Sequence, residues 1–206
     1  VLTVTTPDNA VVTSNYSGHQ VTVTDQANKQ RKSESDALGR LMKVWEAPNG
    51  VNYLTSYTYD TLDNLTQVNQ SGQVRTFVYD SLRRLTSATN PESGTTTYTY
   101  DNNNNLLTRT DARPLTTTYT YDNLNRNTTV RYSSYPNGTA AVDRFYDNAT
   151  LGKGKPYYAI SYNTESSGTL TYNYDQINSY DAVGRPLSKA QNFLIYVSGS
   201  YLWKPY

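Results

Sequence analysis

The sequence predicts an all-β protein, a run of consecutive antiparallel β-hairpins adding to one continuous, curving sheet. Three observations predict it. The first is composition: 21 Tyr against 3 Phe, 2 Trp and 1 Met, with a mean hydropathy of −0.73. Tyr and Thr favour strands because aromatic and β-branched side chains pack on a pleated surface, while so few Leu, Ile, Val and Phe exclude a conventional apolar core. Net charge is only +1 and aromatics reach 13%, which separates this polarity from that of a disordered chain. The second is a period. Aspartates at 36, 60, 80, 101, 122, 147 and 175 follow one another in steps near 21 residues in the middle of the chain and looser steps toward its end. The third is turn chemistry, since every central copy but the one at Asp80 carries Gly, Asn or Asp three residues after the aspartate.

Taken in order, residues 1–35 alternate in Val1–Val4 and Val21–Thr24, predicting two or three flanking strands with loops at Pro7–Asn9 and Asn15–Gln20. Residues 36–130 hold the regular repeats. Tyr57-Thr58-Tyr59-Asp60 leads into Asp63-Asn64-Leu65, and Tyr79-Asp80 leads into Arg83-Arg84-Leu85. Tyr98-Thr99-Tyr100-Asp101 leads into Asn104-Asn105-Leu106, and Tyr119-Thr120-Tyr121-Asp122 into Asn125-Arg126. Two outer copies keep a glycine, Asp36 with Gly39-Arg40-Leu41 and Tyr180-Asp181 with Gly184-Arg185. Residues 131–206 are read as degenerate repeats with longer loops, among them Pro136–Gly138 and Gly152–Pro156, and with weak copies at Tyr146-Asp147 and Tyr172–Asp175. The whole chain is expected to be one repeat segment. No helix is predicted, only a turn near Ser33–Leu38. Both ends, Val1–Val4 and Leu202–Tyr206, read as strand-like, which predicts a piece of a longer protein with any export signal outside it.

The unit has a physical logic. Tyr-x-Tyr places two rings on one strand face, because side chains alternate. The aspartate ends the strand and its carboxylate accepts backbone N–H bonds from the turn. The third residue on tolerates a positive φ when it is Gly, Asn or Asp. Arg83 breaks that rule, which predicts either strain or another turn type. Leu41, Leu65, Leu85 or Leu106 opens the return strand, and Ser71-Gly72, Asn90–Gly94 or Asp111–Pro114 makes the second turn.

The same residues exclude several functions. Charge is near neutral and scattered, against nucleic acid as a partner; the densest basic group, Lys29, Arg31 and Lys32, reads as a solvated loop. There is no Cys, hence no disulfide or thiolate site, and no apolar run long enough to form a transmembrane helix. The single His19 sits in a loop without a nucleophile partner. Recurring Asp60, Asp80, Asp101 and Asp122 are not glycosidase carboxylates, since a catalytic residue is not stamped into every repeat. Asp60–Asp63 and Asp101–Asn105 carry oxygens that Ca²⁺ accepts but lack an EF-hand spacing. Asn-x-Thr triplets such as Asn64–Thr66 and Asn127–Thr129 arise by chance in so Asn- and Thr-rich a chain. No catalytic, cofactor or metal residue is predicted; the expectation is a protein that is not an enzyme.

The motif Tyr-x-Tyr-Asp-x-x-Gly/Asn-Arg/Asn-Leu, recurring over residues 36–185, resembles the rearrangement-hotspot (RHS) or tyrosine–aspartate (YD) repeat family. The resemblance implies long hairpins spiralling into a hollow β-shell. Bacterial members and the C components of insecticidal toxin complexes enclose a toxic C-terminal domain in such a shell, and related teneurin barrels act in adhesion. It further implies a secreted or cell-surface location, and as partners the remainder of the parent RHS protein and its enclosed effector. This sequence shows neither the Asp-Pro-x-Gly-Leu-like motif that precedes the toxin nor a toxin domain, so the expected role is that of wall. Two other readings stand beside it. Tyr faces flanked by Asn, Asp and Arg suit carbohydrate, and open edges at Val1–Val4 and Phe193–Val197 suit a homo-oligomeric fibre or tube.

Overall fold

The computed structural model describes residues 1–47, 53–133, 141–164, 170–197 and 200–205. It divides into two compact units, Val1–Thr95 and Thr96–Tyr206. The first contains β1 (Leu2–Thr5), β2 (Val11–Ser17), β3 (Gln20–Thr24), β4 (Gln30–Ser35), β5 (Leu41–Ala47), β6 (Tyr53–Tyr59), β7 (Leu65–Gln70), β8 (Gln73–Tyr79) and β9 (Leu85–Asn90). The unit boundary falls inside β10 (Gly94–Tyr100). The second unit continues with β11 (Leu106–Thr110), β12 (Thr116–Tyr121), β13 (Asn127–Tyr132), β14 (Ala141–Tyr146), β15 (Pro156–Thr164), β16 (Leu170–Tyr180), β17 (Pro186–Val197) and β18 (Ser200–Pro205). Within each unit every strand pairs antiparallel with the next in the chain, so the predicted fold of consecutive hairpins is the fold observed.

Alternation decides what each face buries. In β10, Tyr98 and Tyr100 are half-buried while Thr97 and Thr99, which alternate with them, are exposed. The first tyrosine position of a repeat lies opposite the residue eight places after its aspartate: Tyr57 opposite Val68, Phe77 opposite Ala88, Tyr119 opposite Val130. Val44, Ala88 and Val130, all at that eighth place, are buried. Among the described residues no large side chain is fully buried, so the tyrosine side supplies a thin apolar seam in place of a core. The other side carries cross-strand hydroxyl pairs, Thr99 with Thr108 at 2.6 Å and Thr120 with Thr128 at 2.9 Å, of the kind that adds a few tenths of a kcal/mol to about 1 kcal/mol per pair to a sheet.

The aspartate ends of the hairpins share one irregularity. The register slips at Thr58/Tyr59 and Val78/Tyr79 in the first unit, and at Thr99/Tyr100, Thr120/Tyr121 and Phe145/Tyr146 in the second. Such bulges bend the strand and increase its local twist. The opposite turns are less uniform; Ser71 (φ 50) and Gly72 (φ 95) form a two-residue loop with both φ positive, the combination that matches strand twist in a hairpin.

Several expectations are corrected. Residues 1–35 hold four strands; Asn15–Ser17 belongs to β2, and only Gly18-His19 turns. Arg31 and Lys32 are in β4, where Arg31 meets Glu46 at 2.8 Å and Lys32 lies 4.1 Å from the Trp45 ring. Ser33–Ser35 is strand, with the turn starting at Asp36. The copy read at Tyr172–Asp175 is not a turn. Asp175 is mid-strand in β16, paired with Ala159 on one side and Gln191 on the other. The turn at Asp181 explains this, because six residues leave no room for a return strand. Phe193–Val197 is not an edge, since β17 lies between β16 and β18. Pro136–Gly138 lies outside the described residues.

Candidate functional site: the row of aspartate turns

Among the described residues no group of three or more His, Cys, Asp or Glu side chains converges as metal ligands would, and no helix is long and apolar enough to cross a membrane. What recurs is the turn at the aspartate, and its geometry is nearly constant. With the aspartate as position zero, its N–H donates to the carbonyl of +4 and its own carbonyl accepts from the N–H of +3. This holds at Asp36, Asp60, Asp80, Asp101, Asp122 and Asp181. The carboxylate Oδ1 of each accepts the N–H groups of +2 and +4, at 2.8–3.0 Å. Oδ2 takes the +4 side chain: Arg40, Arg84, Arg126 and Arg185 through Nε, Asn64 and Asn105 through Nδ2, at 2.6–2.9 Å.

Three N–H donors hold the carboxylates of Asp60, Asp80, Asp122 and Asp181 below the usual carboxylate range. For Asp60 the largest cause is the Asn64 side chain, and for Asp80, Asp122 and Asp181 the +4 backbone N–H. The same donors occupy the oxygens that a Ca²⁺ ion would need at Asp60 and Asp101.

The +3 residue is left-handed in every copy, with φ 81 at Gly39, 65 at Asp63, 68 at Asn104, 59 at Asn125 and 89 at Gly184. Arg83 has φ 63 and makes the same backbone bonds, so the choice the sequence left open resolves as strain within an unchanged turn. Left-handed backbone disfavours any residue with a Cβ by about 1–2 kcal/mol.

Four of the tyrosines that precede an aspartate reach back one hairpin. Tyr59 donates its hydroxyl to the Leu41 carbonyl at 3.0 Å in the first unit. In the second, Tyr121 donates to Leu106 at 2.9 Å, Tyr146 to Asn127 at 2.8 Å and Tyr180 to Pro156 at 2.7 Å. Cations cover three of these rings: Arg40 over Tyr59 at 5.2 Å, Arg126 over Tyr146 at 4.4 Å and Lys155 over Tyr180 at 4.9 Å. Burial raises the phenol pKa of Tyr59, Tyr121 and Tyr180. A stacked ring pair forms between Phe145 and Tyr158, whose centroids are 4.2 Å apart, outside the Tyr-x-Tyr motif.

Three turns with related bonding lie outside the six copies. Asp25 closes β3–β4 through Ala27, Asn28 and Lys29 with the same bonds, and its Asp-x-x-Asn-Lys signature was readable. Asp111 closes β11–β12 through its own N–H to the Leu115 carbonyl and through its carboxylate on the Arg113 and Leu115 N–H groups, while Pro114 at +3, φ 26, has no N–H to give. Asp147 closes on Lys155 across an insertion. His19 is exposed, and its carbonyl accepts from Ser35 N–H at 3.0 Å.

Compared with known families, residues 36–71 and 84–114 match the RHS repeat. Those two stretches carry RHS repeats. No curated protein matches the chain. Its fold is shared with a series of solved structures. The Photorhabdus luminescens Tc holotoxin pore gives a TM-score of 0.75 at 13% identity, covering 97% of this chain and 11% of that one. TcdB2-TccC3-TEV gives 0.74 at 13%, covering 96% and 11%. TcdB2-TccC3 without its hypervariable C-terminal region gives 0.66 at 10%, covering 98% and 14%. At such identities the likeness is one of fold. The chain thus spans little more than a tenth of the length of those it matches.

Proposed function

We propose that this RHS chain is a length of shell wall, which in its parent protein encloses a C-terminal effector and performs no chemistry itself. The parent is a secreted or cell-surface protein on this reading, and its partners are the rest of the shell and its cargo. The observation that carries it is the use of the repeat side chains. The aspartates and their +4 residues have polar groups engaged within or between hairpins, and so do four of the tyrosines, as wall material requires. Tyr59, Tyr121, Tyr146 and Tyr180 have their hydroxyls on carbonyls, and cations cover three of those rings, which favours wall over a carbohydrate-stacking surface. The exposed Thr face offers a passenger hydroxyls rather than an adhesive apolar lining.

The test is protease protection of the parent protein. An enclosed effector domain survives digestion while the wall is intact and is cut when the wall is opened with denaturant; an effector cut at once in the intact protein refutes enclosure. A saccharide panel read by thermal shift on the 206-residue chain separates the carbohydrate reading, since wall predicts no shift. Edge assembly is the second reading, supported by β1, all of whose residues are exposed. Light scattering across a concentration range reads it directly, a constant monomer mass opposing it and regular growth favouring it.

A further inference from the structure

The +4 side chain of one turn reaches the left-handed residue of the next. In the first unit Arg40 Nη1 donates to Asp63 Oδ1 at 2.6 Å, and Asp63 has φ 65. One hairpin on, the polarity reverses: Arg83, left-handed at φ 63, donates through Nε to Asn64 Oδ1 at 3.2 Å. In the second unit Asn105 Nδ2 donates to Asn125 Oδ1 at 2.8 Å, and Asn125 has φ 59. Arg126 grips both carboxylate oxygens of Asp147, at 3.0 and 2.8 Å. Asp147 opens the enlarged turn and is itself left-handed, at φ 75. Lys155 then lies against Gly184, at φ 89, so closely that a Cβ there would fall 1.9 Å from its Nζ.

Five steps therefore place a donor on an acceptor, an acceptor under a donor, an amide on an amide, a fork on a carboxylate, and a cation over a bare glycine. Turn preference alone accounts for Gly, Asn and Asp at the left-handed place. It does not account for Arg83, the residue least suited to that backbone, and the one whose partner Asn64 presents an amide oxygen. We infer that the left-handed residue of each hairpin is matched to the +4 residue of the hairpin before it, and that these pairs specify which hairpin follows which. The inference concerns the order and register of hairpins and stands whether or not the assembled wall encloses anything.

The experiment is a pairwise exchange in the whole 206-residue chain, read by thermal unfolding at pH 7. Asp63→Arg sets two guanidinium groups against each other and lowers the melting temperature by roughly 2–4 °C. Combining it with Arg40→Asn recreates the Asn-to-Arg pairing found at Asn64 and Arg83, and recovers at least half of that loss. Both residue types already occupy these positions elsewhere in the chain, so neither is foreign to the turn. Should Asp63→Arg abolish a cooperative transition, the cycle moves to Asn105→Arg with Asn125→Asp, where the double variant melts above the value the two single shifts add up to. Purely additive shifts at the site measured overturn the inference.

Discussion

Tyr180 isolates what one inter-hairpin tie contributes. Its ring is 4% exposed, its hydroxyl donates to the Pro156 carbonyl at 2.7 Å, and Lys155 Nζ stands 4.9 Å above the ring. Tyr180→Phe removes only the hydroxyl. A neutral hydrogen bond contributes about 0.5–1.5 kcal/mol net, and because Pro156 is exposed, water replaces the lost donor, so the expected loss is about 1 kcal/mol. For a chain of this size that lowers the melting temperature by roughly 2–4 °C. Tyr180→Ala also removes the ring, an aromatic burying about 150–250 Å²; truncations of this kind cost about 3–5 kcal/mol. The assay is differential scanning calorimetry of both variants beside the parent chain. Equal melting points for the parent and the Phe variant would refute the tie. A Phe variant as unstable as the Ala variant would refute the division between ring and hydroxyl.

Other outcomes follow from the same row. Arg126→Ala breaks contacts to both Asp122 and Asp147, while Arg185, at the same +4 place but 79% exposed against 21% for Arg126, bonds its own Asp181. Calorimetry is expected to show a loss of several degrees for Arg126→Ala and less than about 1 °C for Arg185→Ala. Gly184→Ala meets both a positive φ and Lys155, and is expected to destabilise more than Gly39→Ala, which meets only the positive φ. The carboxylates of Asp60, Asp80, Asp122 and Asp181 titrate below their ordinary value, and so does Asp147, at about 2, chiefly through the Arg126 side chain. A depressed folded pKa gives stability that is present above the unfolded value of 3.8 and lost as pH falls through the folded one. Melting temperature is thus expected to hold from pH 7 to about 4 and fall toward 2; a fall already between pH 7 and 5 would refute this assignment.

The repeat was legible because the physics that builds it is local. Asp60 to Leu65 contains the strand stop, the carboxylate acceptor, the left-handed residue and the start of the return strand within six positions, so the sequence could be read turn by turn. The same locality exposed its limit at Asp175. That residue has Tyr before it and Asn178 three after it, yet the strand runs through, because the turn is fixed by the distance to Asp181 and by pairing with β15 and β17. The Asp25 turn was overlooked for want of a tyrosine, although tyrosine is not what closes it. The row itself was not legible. Arg40 and Asp63 are 23 positions apart, and nothing in either repeat taken alone says that one side chain ends on the other.

The Asp147 turn shows how the row tolerates changes of spacing. Its insertion keeps the closing bond, Asp147 N–H to Lys155 carbonyl at 3.0 Å, and keeps a left-handed acceptor for Arg126. The extra residues fold back on the neighbouring hairpin: Thr150 N–H donates to the Asn178 carbonyl at 3.0 Å, and Tyr180 N–H donates to the Thr150 carbonyl at 2.9 Å. Gly152 allows that fold, since a Cβ there would meet Ala149 at 2.7 Å. The added loop therefore supplies a further tie where β16 bulges around Asn178. In an array whose stability is close to a sum of nearest-neighbour contacts, what must be preserved at each step is the closing bond and the matched pair, not the number of residues between them. Variable spacing between aspartates is then compatible with a regular row.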